Sequence, residues 1–130
     1  MLKPVTLFRP VGQAELDLIE ASGWKEFPPR LPGQPIFYPV VQQYYAEDIA
    51  EKWNLKDPAS GNVGYVTRFS VDADFHSRYE EQTLYGGYKE YWIPAEDLVE
   101  FNKHIIGPIE LIKEFKRPAL SDSCKRTDLW

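Results

Sequence analysis

The 130-residue chain reads as a single α+β domain. Three observations predict this. Val63 to Val71 (VGYVTRFSV) is a long run of β-formers, the mark of a central strand. Gln13–Ala21 and Gln42–Trp53 carry apolar residues at helical spacing. Proline and glycine clusters cut the remainder into short strands and turns. At this length a core can form without disulfides or metal.

In chain order, Val5 to Phe8 is expected as a first strand that delivers Arg9 to its end, where Pro10, lacking an N–H, stops the ladder. Ala14 with Leu18, and Leu16 with Ile19, fit a short amphipathic helix closed by Gly23. FPPRLPGQP (27 to 35) is too proline-rich for a helix or a central strand and reads as an ordered connection. Ile36 to Tyr38 is a short strand stopped near Pro39. The following helix presents Ala46, Ile49, Ala50 and Trp53 on one face, with Tyr44 and Tyr45 in its first turn.

DPASGN (57 to 62) is a turn cluster before the central strand. A more polar strand, Tyr79 to Leu84, belongs near an edge or a pocket. Gly86 and Gly87 then feed an aromatic strand that runs into a helix starting at Pro94 or Ala95 and ending at Phe101, with Glu96 and Asp97 in its first turn. Pro108 to Phe115 is a last strand with Ile109, Leu111 and Phe115 on one face. The domain is expected over residues 1–115, and 116–130 as a flexible tail held at most by Trp130. Trp24, Trp53, Trp92 and nearby Phe and Tyr residues are expected to supply most of the core.

The net charge of -5 argues against nonspecific nucleic-acid binding, which needs a basic footprint. The one cysteine, Cys124, forms no internal disulfide and suits a reducing compartment, the cytoplasm by default. No apolar run is long enough to span a bilayer, and no export signal is read at the N-terminus. Neither GxGxxG nor GxxxxGK occurs, so Rossmann and P-loop nucleotide sites are unsupported. His76 and His104 lack ligand spacing, no metal site is expected, and no serine sits in a GxSxG elbow.

Glu90 is the residue that most needs explaining. Side chains alternate along YKEYWIPAEDL (88 to 98), so Glu90, Trp92 and Pro94 share one face and Tyr91 and Ile93 the other. A carboxylate there is either a solvated glutamate guarding an edge or a site residue held by the sheet beneath a mobile loop.

Three segments, in order, resemble the ADP-ribosyltransferase superfamily of diphtheria-type toxins and poly(ADP-ribose) polymerases. TLFRPVG places Arg9 where that superfamily has a histidine or arginine at the end of its first core strand. IFYPVVQQYYAEDIA resembles its second motif, and YKEYWIPAEDL is similar to its third, a tyrosine-flanked glutamate before a helix-like turn. The chain also resembles short bacterial proteins that carry the catch-all label ADP-ribosylation/crystallin J1, a name borrowed from larger, metal-dependent glycohydrolases whose acidic ligands have no counterpart here.

The resemblance implies a split, mostly antiparallel pair of sheets with a cleft holding NAD. Glu90 would be catalytic, stabilising the oxocarbenium-like charge that develops as the nicotinamide–ribose bond breaks. Arg9 would hold the ribose or a phosphate, and Tyr38, Tyr44 or Tyr45 would stack on the nicotinamide. The implied activity is transfer of ADP-ribose to an unknown acceptor. No STS motif follows Arg9, and Tyr88 stands where arginine-modifying members carry Glu or Gln, which speaks against arginine acceptors. Glu80, Glu81 and Gln82 in the target-facing loop point to a basic target. The alternatives are a non-catalytic binding module of the same fold and an NAD glycohydrolase. The enzyme reading requires Arg9 and Glu90 to point into one cavity; on opposite faces of the sheet they would not serve it.

Overall fold

Val63–Asp72 carries the β-branched and aromatic side chains suited to a strand covered on both faces, and in the computed structural model, which describes residues 3–116, it is the centre of the sheet. In chain order the elements are β1 (Pro4–Val11), α1 (Gln13–Ala21), β2 (Ile36–Phe37), α2 (Gln43–Lys52), β3 (Val63–Asp72), α3 (Ala73–His76), β4 (Glu81–Thr83), β5 (Lys89–Tyr91), β6 (Ile93–Pro94), α4 (Leu98–Lys103) and β7 (Ile105–Lys116). Both β1 and β7 pair antiparallel with β3. The molecule is a mixed α/β domain of antiparallel sheets and short helices.

β1 runs through Pro10 to Val11, contrary to the expectation that the proline would end it. Phe8 exchanges both backbone hydrogen bonds with Val40, on the side away from β3. Pro10, two residues on, turns its missing N–H to that same side, so the β1–β3 ladder loses no bond.

The expected aromatic strand after Gly87 is divided between two partners. β5 pairs with β4, then β6 pairs with β2. Yet one register runs throughout: Ile36 faces Pro94, Phe37 faces Ile93 and Val40 faces Glu90. Tyr91 N–H donates to Pro39 O, Val41 N–H to Lys89 O and Ala95 N–H to Pro35 O. Segments 35–41 and 89–95 thus form one ribbon, attached to β1 through Val40. β4 is shorter than the Tyr79–Leu84 strand the sequence suggests, and β2 lacks Tyr38.

The two sheet faces bury different sets. On the larger side, Leu7, Val11, Tyr65, Phe69 and Val71 meet Leu16 and Ile19 of α1, Phe101 of α4, and Phe27 and Phe37. On the smaller side, Val40 and Val66 meet Tyr45, Ala46 and Ala50 of α2. Phenylalanines, not tryptophans, fill the centre: Phe27 lies edge-on to Phe69 at 4.8 Å, and Phe37 to Phe101 at 5.6 Å. Trp53, expected on the buried face of α2, is 71% exposed, Trp92 is 47% exposed, and Trp24 packs only against the rim of the core. Tyr45, Ala46 and Ala50 are the buried residues of α2, while Trp53 is its C-terminal cap, where the chain passes into a 3-10 turn at Asn54–Lys56.

A second correction concerns β7. Val66 pairs with Lys113 but Thr67 with Leu111, leaving Ile112 as an extra residue. Such a bulge exchanges the faces of a strand. Ile109 and Leu111 therefore join the larger core while Phe115 joins the smaller cluster, so the three do not share a face. Lys116, assigned to the tail by sequence, closes β7. The expected tail beyond it, with Cys124 and Trp130, lies outside the described residues.

α2 approaches β3 at Gly64, where a Cβ would stand 2.2 Å from the Ala50 carbonyl oxygen. Backbone cannot yield there as a side-chain tip could. Gly64→Ala should therefore cost at least about 1–3 kcal/mol by overpacking, read from urea denaturation, whereas Trp53→Ala on the surface should change stability by less than about 0.5 kcal/mol.

His76 is buried, neither ring nitrogen has a hydrogen-bond partner among the described residues, and its ring meets Tyr91 at 4.1 Å. Burial pushes its pKa below the ordinary 6.5. The unfolded chain then binds a proton that the folded one refuses, so stability present above the unfolded value is lost as pH falls below it toward the folded pKa. Denaturation measured between pH 7.5 and 5 should show a shallower loss in His76→Phe than in wild type, by up to about 1.4 kcal/mol per pH unit. Equal slopes would show that His76 is not the source.

Candidate functional site

Glu90 enters from the middle of β5 and is only 8% exposed. It is not a solvated edge glutamate. Tyr45 Oη donates to Oε1 at 2.6 Å, and the Trp92 indole N–H donates to Oε2, also at 2.6 Å. The Trp92 bond follows from alternation, which puts residues 90 and 92 on one face. The Tyr45 bond needs α2 docked on that face. Burial first, and then the bond to Glu90, push the Tyr45 phenol well above its ordinary pKa, so it remains a donor. Tyr88 stacks on Tyr45 at 4.3 Å and donates to Asp48 Oδ2, which fixes the ring from behind.

Arg9 is 7% exposed and is held differently. Its Nε and Nη2 donate to the two carboxylate oxygens of Glu15 at 2.6 and 2.9 Å, a bidentate pair. The partner is thus Glu15, in the first turn of α1. The guanidinium lies 4.6 Å from the Phe37 ring centroid, and Nη1 reaches toward the Tyr38 carbonyl at 3.5 Å. Arg9 stands where β1 and segment 35–41 part, beside a cavity of about 370 Å³ that is also lined by Glu15, Arg30, Asn54 and Ser60.

Arg9 and Glu90 do not share a cavity. Phe8, Val40 and Glu90 face one another across the ladders, so their side chains lie on one side of the sheet, the side covered by α2. Arg9, next to Phe8, projects to the other side with Leu7 and Val11. Among the proposed aromatic residues only Tyr45 touches Glu90. Tyr38, 41% exposed, stands opposite Trp92 in the ribbon register, and its carbonyl faces Arg9 while its strand neighbours lie alongside Glu90. Tyr44 is exposed on α2, with its ring 5.9 Å from Tyr88.

The acidic loop of the sequence is partly neutralised, since Glu81 pairs with Lys89 at 3.7 Å across β4 and β5. Tyr85 at its tip is fully exposed, and Gly86 and Gly87 both hold positive φ, which only glycine adopts freely. Sequence reasoning did not single out Glu15, Arg30 or Asn54. Glu15 carried one signal, an acidic residue in the first turn of a helix six positions after a buried arginine. Arg30 and Asn54 are placed by loop packing and had none.

No protein-family model matches the chain, and no curated protein or solved structure matches it either.

Glu90→Gln puts an NH2 where a carboxylate accepted two N–H or O–H donors, so one donor must lose its partner. A loss of about 1–3 kcal/mol is expected, with Tyr45→Phe less than additive to it in a double-mutant cycle. Fully additive losses in urea denaturation would mean that the 2.6 Å bond contributes nothing.

Proposed function

We propose that the protein is a non-catalytic recognition module of ADP-ribosyltransferase-like fold that takes a dinucleotide of the NAD class into the cleft at Arg9. The sheet order supports the fold: β7, β3, β1, then segment 35–41, segment 89–95 and β4, with strands diverging beside Val40. One observation carries the choice of module over enzyme. Arg9 lines the cavity, whereas Glu90 lies on the opposite face with both carboxylate oxygens already engaged. A carboxylate must face the breaking glycosidic bond to stabilise its charge.

The transferase reading has one observation in its favour. Trp92 and Tyr38 are both partly exposed next to Glu90, and a nicotinamide stacked on either ring would lie on Glu90's side of the ribbon without using Arg9. The acceptor on that reading is a protein or another macromolecule, with the glycohydrolase as its variant. Among the described residues no helix is long and apolar enough to cross a membrane. The cytoplasm is the location we propose, in keeping with the lone Cys124.

Isothermal titration of NAD up to millimolar concentration, with chromatography of the products, tests this. The module reading expects saturable binding, roughly tenfold weaker in Arg9→Ala, because Glu15 is left as an unneutralised anion in the cavity. Glu90→Gln should bind like wild type, and nicotinamide should not be released. Nicotinamide release lost in Glu90→Gln would instead establish an enzyme, with free ADP-ribose marking a hydrolase and a modified macromolecule a transferase. Absence of NAD binding by folded wild type would refute the choice of ligand.

A further inference from the structure

The cavity at Arg9 holds a second guanidinium, and the two differ in what they have free. Arg9 is closed by Glu15 through two charge-assisted bonds. Arg30, on the 27–35 connection, spends only its Nε, on the Ile36 carbonyl at 3.0 Å. Among the described residues it forms no ion pair with a carboxylate, so its two terminal nitrogens remain for a ligand. Burial first, and then the adjacent Arg9, pull its pKa below the ordinary value, the signature of a cation in need of a counter-charge.

Other groups on the same wall are complementary. Helix α1 starts at Gly12 with no side-chain cap, and Gly12, Ala14 and Glu15 line the cavity, so first-turn amides that lack intrahelical acceptors stand at its edge. Asn54 donates to Ser60 Oγ at 3.1 Å, a bond that ties together two residues of the cavity wall. The cavity's carboxylates are both engaged: Glu15 with Arg9, and Asp57 with the Ala59 amide at 2.9 Å. Leu18, Leu31, Pro28 and Pro29 supply apolar walls.

We infer that this cavity binds a nucleoside phosphate and that Arg30, not Arg9, is the residue that holds its phosphate. A phosphate suits the site better than a single carboxylate because it can engage both terminal nitrogens of Arg30 and the first-turn amides together. Arg9 then has a positioning role: it neutralises Glu15, which would otherwise repel the anion. The inference rests on reading this cavity as the ligand site, but not on the ligand being NAD.

Titration with AMP, alongside NAD, separates the two claims. Wild type should bind AMP, Arg30→Gln should weaken it at least tenfold, and Arg30→Lys should restore part of the loss. Glu15→Gln, which frees Arg9, should tighten binding, an effect that a merely structural role of either residue would not produce. Spectra of the free variants establish that each is folded. NAD binding unaffected by Arg30→Gln would overturn the assignment of Arg30 while leaving the NAD reading standing. AMP binding that depends on Arg30 without any NAD binding would uphold Arg30 and overturn NAD. Binding of neither would overturn both.

Discussion

Among the described residues, Val40 is the one residue whose backbone pairs the ribbon of segments 35–41 and 89–95 with β1. Its N–H and C=O are both spent on Phe8, while its neighbours Pro39 and Val41 bond across to residues 91 and 89. Because a single residue makes the connection, the strands are free to part immediately beyond it. On one side of that junction the gap becomes the cavity at Arg9. On the other side Val40 itself forms the floor on which α2 packs, and that packing brings Tyr45 to Glu90. The Gly64 approach to Ala50 sets how close α2 can lie, and so whether the 2.6 Å bond can form.

The two buried charges at this junction are compensated in different ways. Arg9 has an ionic partner, which leaves the pair neutral but makes the guanidinium unavailable without breaking a buried bidentate contact. Glu90 is met by two neutral donors, one on each carboxylate oxygen, which fix the direction of its carboxyl group. Its oxygens face Tyr45 and Trp92, and Arg9 lies across the sheet from it. Arg30 is then the cation of the cavity with donors to spare, although it sits on a proline-rich connection of no regular secondary structure. Pro28, Pro29 and the left-handed Gly33 restrict that connection, which is how a loop can present a side chain reproducibly.

Where local pattern decides structure, the sequence was legible. The β-formers of Val63–Val71 became the central strand, the 3.6-residue spacing of Leu16 with Ile19 became the buried face of α1, and Gly23 with positive φ ended that helix. Glu90 and Trp92 on one face followed from alternation and are joined by a hydrogen bond. Long-range geometry was not legible. Which side of β1 carries the missing N–H of Pro10 depends on where β3 lies, the bulge at Ile112 depends on pairing with β3, and the exposure of Trp53 depends on where the chain leaves α2. For the site, residue types pointed to one chemistry for Arg9 and Glu90, but their faces are set by the Phe8, Val40 and Glu90 pairing, which no local pattern encodes.

The most direct test of the account is amide and indole chemical-shift mapping of the ¹⁵N-labelled protein as NAD is added. The account predicts shifts confined to the cavity wall, at Gly12 to Glu15, Arg30 and Ser60, with the Trp92 indole N–H unmoved in its bond to Glu90. Shifts centred instead on the Trp92 indole, Tyr45 and Glu90, with the Arg9 cavity silent, would contradict it and return Glu90 to the centre of the chemistry.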